Sequence, residues 1–167
     1  MNEVDHRPWP CPIKPWRVRQ DWTELTFLHW KVPYSTLRAL VPADLEIDTF
    51  EGQAWIGVVP FRMDAVRFRY TPPVPLLSSF PELNVRTYVK HLGKAGVYFF
   101  SLDAQNRFLV WLGRKSLHLP YHYAKMKNSP TSEGFHYFSE RRTKSPSAWS
   151  FEAQQRSWGE PYLAAPG

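Results

Sequence analysis

The chain has 167 residues, of which 43% are hydrophobic, 16% aromatic and 16 proline. That is enough apolar matter for a core, which excludes wholesale disorder, and prolines at about twice the average usage of roughly 5% exclude an all-helical bundle. The net charge is +6, but only Arg141, Arg142 and Lys144 form a dense basic run; the rest are dispersed, which argues against a nucleic-acid partner.

Residues 1–16, with Pro8, Pro10, Pro12 and Pro15, predict an extended Pro-rich arm ahead of a single domain at 17–167. Leu25 to Val32 is rich in β-formers and reads as a strand ended by Pro33. Leu37, Leu40 and Val41 have helical spacing, and Pro42 stops that short helix. Leu45 to Phe50 alternates as a half-buried strand does. Ala54 to Met63 is an apolar strand in which Gly57 or Pro60 should mark a bulge or bend. Tyr70 to Pro81 is a long Pro-rich loop. Leu83–Lys90 and Val97–Leu102 form a hairpin turned at Gly93–Gly96. Arg107 to His118 is closer to helix than strand, and Tyr121 to Met126 is extended. Two short strands follow at Phe135–Phe138 and Trp149–Phe151. Seven or eight strands, two short helices and antiparallel hairpins give an α+β, mostly β class, and a barrel is the expected way to manage so many edges.

Several chemistries are absent from the sequence. One cysteine, Cys11, supports neither an internal disulfide nor a cysteine-rich zinc site. No apolar run reaches the roughly 18 residues of a membrane span, and no signal-peptide core precedes the domain, so a cytoplasmic protein without a membrane partner is expected. His118 and His122 have ligand-like spacing, but Pro120 between them opposes the helix that would align them, so no metal is expected. No phosphate-binding, dinucleotide or nucleophile-elbow motif is present, and no cofactor is expected. Glu82 stands out because it ends the Pro-rich loop and begins a strand. A carboxylate facing an interior there would have its pKa raised by desolvation and could act as acid or base. Arg86 follows on the same strand face, about 13 Å further on. Arg62 and Arg114 are other cations that can balance Glu82.

Longer strings point to a family. Leu37-Arg38-Ala39-Leu40-Val41-Pro42-Ala43-Asp44-Leu45-Glu46-Ile47-Asp48 resembles a segment of the acetoacetate decarboxylases. Gly93-Lys94-Ala95-Gly96-Val97-Tyr98 and the Leu102-Asp103…Gly113-Arg114…Pro120 block follow in the same order. The whole chain is similar to the YqjF-like family of uncharacterised proteins within the acetoacetate-decarboxylase-like superfamily. The strings at 54–63, at Phe80 to Val89 and at His118-Leu119-Pro120-Tyr121 carry that likeness. The resemblance implies a cone-like β-barrel with an internal pocket.

It also tests the chemistry. The decarboxylases place a Schiff-base lysine directly after the proline of the Gly-Arg…Pro block. Tyr121 stands there, and a phenol cannot form an imine. Lys125 lies four residues beyond, too far along a strand to replace the amine. The decarboxylases' pocket glutamate matches Glu82, while their pocket arginine has only Arg19 as an approximate counterpart. Two readings result. In the first, a barrel pocket lined by Glu82, Arg86, Arg114, His118 and Tyr121 binds a small organic acid or carbonyl compound, with or without catalysis. In the second, a non-catalytic interaction module presents aromatic surface from Trp9, Trp16, Trp22, Trp30 and Trp55. Measured against the family, the chain also ends at 164–167 before the expected last strands. That leaves either a truncated barrel or one closed by self-association.

Overall fold

The computed structural model describes residues 10, 13–74, 78–142, 148–156 and 159–160. Most of the predicted arm, Trp9, Cys11, the centre of the Pro-rich loop and the chain end at 164–167 lie outside the described residues.

The elements run β1 (Val18–Thr23), β2 (Leu28–Val32), α1 (Tyr34–Arg38), β3 (Glu46–Ile47), β4 (Ala54–Phe68), β5 (Phe80–His91), β6 (Lys94–Ala104), α2 (Arg107–Ser116), β7 (Tyr121–Pro130), β8 (Gly134–Arg141) and β9 (Ser150–Arg156). The mostly-β reading with two short helices holds. β1 is the strand that the sequence reading missed: its six residues are all exposed, so it carries no alternation to read.

The strands form one path, β1-β4-β5-β6-β7-β8-β9, with β2 added to β4 and β3 to β5. The expected closed barrel is not what the described residues form. The path ends at β1 and β9, and no ladder joins those two. Side chains bridge the gap instead. Thr26 Oγ1 donates to Gln155 Oε1 at 2.7 Å, and Asn128 Nδ2 donates to the Glu24 carboxylate. The segment after β1 thus reaches β9 and β7 through side chains and not through a ladder.

Three further expectations change. β6 and β7 pair in parallel over Leu102–Ala104 and Tyr121–Tyr123, because α2 crosses between them as a β-α-β connection does. The bulge of β4 falls at neither Gly57 nor Pro60. The register slips opposite Arg19–Asp21, beside Ala65, whose φ is +51°. The β5–β6 turn is tighter than predicted: Leu92 and Gly93 both have positive φ, as a two-residue hairpin turn requires.

Alternation along β5 sorts its side chains. Glu82, Asn84, Arg86 and Tyr88 share one face, and Leu83, Val85, Thr87 and Val89 the other. Across the first face, α2 covers the Glu82 end with Val110 and Leu109 against Phe61, Met63, Phe80 and Ala104. Asn106 caps α2 by accepting from Leu109 N–H. On the second face, α1 covers one end through Leu37, against Ile47, Ala54 and Val89. β7, β8 and β9 fold over the other end, where Leu83 meets Met126 and Tyr137. Full burial of a side chain such as Phe61 or Leu83 stabilises by about 1.5–3 kcal/mol. Arg38 has a structural task here: its guanidinium donates to the carbonyls of Leu45, Val41 and Pro42, tying off the turn after α1.

Candidate functional site

Glu82 lies within β5, not at its start, because the strand begins at Phe80. Its cross-strand neighbours are Phe61 and Ala104, which offer it no polar group from their side chains. Only 3% of Glu82 is exposed. Tyr121 Oη donates to Glu82 Oε2 at 3.3 Å, and among the described residues no basic side chain pairs with the carboxylate. Burial therefore dominates and pushes the Glu82 carboxyl up to about 8. The Tyr121 hydrogen bond pulls it partly back, and the nearby Asp103 charge adds to the rise. Glu82 is thus protonated at neutral pH. Burial, with the Glu82 charge second, also raises the Tyr121 phenol, which stays a donor.

Two structural contacts hold this pair in place. The Tyr137 hydroxyl donates to the Glu82 backbone carbonyl at 2.7 Å, fixing the strand from its second face. Gly113 of α2 packs flat on the Tyr121 ring: a Cβ there would lie 2.5 Å from Cδ2. That close approach gives the Gly113 of the Gly-Arg string a physical reason.

Behind Glu82, on the opposite face, lies a second buried carboxylate. Asp103 is fully buried, and Arg141 meets it with Nε at 3.1 Å from both oxygens and Nη2 at 2.6 Å from Oδ1. Burial pushes the Asp103 carboxyl up, and the Arg141 guanidinium draws it partly back. His122, on the same face, is held down to about 4 by burial and then by Arg141 and Arg114, so it is neutral. Sequence reasoning quoted Asp103 inside a string but did not pair it with Arg141. The available signal was a charged residue set between Leu102 and Ala104 in a strand.

The five predicted lining residues do not converge. Glu82 and Tyr121 do. Arg86 sits two rungs away along β5, beyond Asn84. Arg114 is exposed and donates to the Tyr121 backbone carbonyl, and its guanidinium is 3.4 Å from His122 Nδ1. His118 is exposed in the loop after α2, with φ +54°. Arg62 is committed to Asp64 at 3.0 Å, and Lys125 and Arg19 are exposed. A cleft of about 560 Å³ lies near the Glu82–Tyr121 pair, although neither of the two is in its walls. Phe80 and Tyr123, their neighbours on the same face, line it with Ser79 and Arg107.

These strands and strings match a known profile over residues 19–166, that of DUF2071, described as an uncharacterised conserved protein. The chain belongs to the DUF2071 family. It is 47% identical over 149 residues to the uncharacterised protein YqjF of Bacillus subtilis strain 168, covering 89% of this chain and 61% of YqjF. The chain therefore spans about three-fifths of the length of that curated relative. Among solved structures, the fold of this DUF2071 chain is similar to acetoacetate decarboxylase from Legionella pneumophila. The TM-score is 0.58 at 14% identity, over 81% of this chain and 52% of that one. It is also similar to the enduracididine biosynthesis enzyme MppR, solved with pyruvate. There the TM-score is 0.55 at 11% identity, over 79% and 54% of the two chains. Identities this low establish a shared fold and nothing further. Among the described residues, no helix is long and apolar enough to cross a membrane.

Proposed function

We propose that this DUF2071 chain binds a small organic acid or carbonyl compound beside Glu82, entering by the cleft walled by Phe80 and Tyr123. Glu82 is the proton donor and acceptor of the site, and Tyr121 holds its carboxyl in position. The observation that carries this reading is a buried, cation-free carboxylic acid that is protonated near neutral pH. Such a group can protonate an enolate and recover the proton from solvent, without an imine. Tyr121, where the related decarboxylases have a lysine, leaves the Schiff-base route without its amine. The fold shared with an enzyme solved with pyruvate makes 2-oxo acids the first ligands to try.

Pyruvate and acetoacetate are screened by thermal shift, and exchange of their α-hydrogens in D2O is followed by NMR. Stabilisation by either ligand, with exchange that Glu82→Gln abolishes, is the expected result. No stabilisation by either ligand, or exchange unchanged in Glu82→Gln, overturns the reading. The second reading, an interaction module, rests on Trp22 and Trp30, which remain 43% and 50% exposed. It requires a partner or a self-associated form that Trp30→Ser disrupts.

A further inference from the structure

A different part of the first face has a constellation that the Glu82 reading does not use. His29 of β2, Gly57 of β4 and Arg86 of β5 lie directly opposite one another on three neighbouring strands. Because the middle residue is glycine, the His29 and Tyr88 side chains and the Arg86 stem close in over it. A Cβ on Gly57 would meet His29 Nε2 and Tyr88 Oη at 3.4 Å and Arg86 Cγ at 3.5 Å. His29 Nε2 and Tyr88 Oη are themselves 2.5 Å apart. A cleft of about 670 Å³ opens beside this rung, lined by His29, Asp48, Thr49, Phe50, Trp55 and Tyr88, with Gly57 and Arg86 behind His29 and Tyr88. That volume lies within the range of ligand pockets, roughly 300–1,000 Å³.

Arg86 is the unusual member. It is 9% exposed, its Nε is buried without a hydrogen-bond partner, and no carboxylate pairs with it among the described residues. Its guanidinium lies 5.2 Å from the Phe27 ring centre and 5.6 Å from that of Tyr88. A buried cation left without an anion is costly, and a ligand carboxylate would supply the missing partner. Burial and the Arg86 charge hold the His29 ring below its ordinary pKa, which leaves it neutral. One guanidinium matches one carboxylate in a bidentate pair. The Asp48 carboxylate, tied to Lys90 at 2.6 Å, disfavours a second negative charge on the ligand. Walls of Trp55, Phe50 and Tyr88 suit a flat ring.

We propose that this cleft is a separate binding site for an aromatic monocarboxylate, with its ring between the aromatic walls and its carboxylate at the His29–Tyr88 end, drawn by the Arg86 charge behind them. The site does not depend on Glu82. Isothermal titration with 2-naphthoate, using 2-naphthamide as the uncharged control, tests it. Naphthoate is expected to bind, and naphthamide to bind more weakly by about tenfold or more, the loss of one charge-assisted pair. Arg86→Gln should weaken naphthoate by a similar factor, and Glu82→Gln should leave it unchanged. Gly57→Val crowds His29 and Tyr88 at the inner end of the cleft and keeps the Arg86 charge. It should block naphthoate even if Arg86→Gln does not fold. No naphthoate binding at millimolar concentration overturns the proposal. So does equal affinity for the amide, or wild-type affinity in Gly57→Val. Loss of binding in Glu82→Gln, with Arg86→Gln unaffected, would move the acid to the Glu82 cleft and refute this site while sparing that one.

Discussion

Glu82 and Asp103 are both buried carboxylates on adjacent strands, one register step apart and on opposite faces of the sheet. Asp103 has a guanidinium laid across both oxygens; Glu82 has one phenol and no cation. The same desolvation acts on each, and the partner decides the outcome. Asp103 and Arg141 form a compensated pair that ties β6 to β8. Glu82 keeps its proton to about pH 8. A buried charge that is paired serves the fold; a buried acid that is not paired is available for proton transfer.

The comparison can be broken from either side. Arg141→Met removes the cation and leaves Asp103 buried alone. A loss of about 3–5 kcal/mol in denaturant unfolding is expected, with a rescue by the double variant Asp103→Leu, Arg141→Met. If the single variant costs less than about 1 kcal/mol, the pair is not what holds β8 to β6.

The next largest effect lies in the pH dependence. Glu82 has a folded pKa raised from 4.5 to about 8. The folded state then binds more protons than the unfolded state between those values, so stability falls as pH rises through that window. Its contribution is fully present below about pH 4.5 and lost above about pH 8. The loss is on the order of a few kcal/mol. Glu82→Gln should flatten this slope in urea titrations between pH 5 and 9, whereas a slope unchanged by the substitution would remove the titration from Glu82.

The smallest effect sharpens the geometry. Gly113→Ala forces a methyl group to within 2.5 Å of the Tyr121 ring unless α2 or the ring shifts. A destabilisation of about 1–3 kcal/mol is expected. The displaced phenol should also release Glu82, seen as an upward move in the Glu82 titration, since the Tyr121 bond holds that carboxyl down. Stability within about 0.5 kcal/mol of the parent would mean that α2 yields freely.

Much of the fold was legible because it is written at short range. The hairpin of β5 and β6, the short helix stopped before Pro42 and the apolar run of β4 each follow from a window of a few residues. β1 was not legible, since six exposed positions carry no period. The parallel join of β6 to β7 was not legible, because the partner that Tyr121–Tyr123 takes lies about twenty residues back, outside any local window. At the site, Glu82 was found by its place beside a Pro-rich loop, and Tyr121 by its match to a family string. His118 and Arg114 are grouped with them by the family strings; both are exposed, and Arg114 reaches only the Tyr121 backbone and His122.

The sequence by itself determined the mostly-β class, the family strings, the acid at position 82 and the absence of a lysine at position 121. These are properties of residue type, local period and order along the chain. Only the tertiary structure decided that Glu82 has no cation while Asp103 has one. It also decided that the sheet stays open between β1 and β9, and that His29, Gly57 and Arg86 share a rung. Each of these depends on which distant strands meet and in what register. Desolvation and charge pairing are properties of that meeting, and no single stretch of sequence carries them.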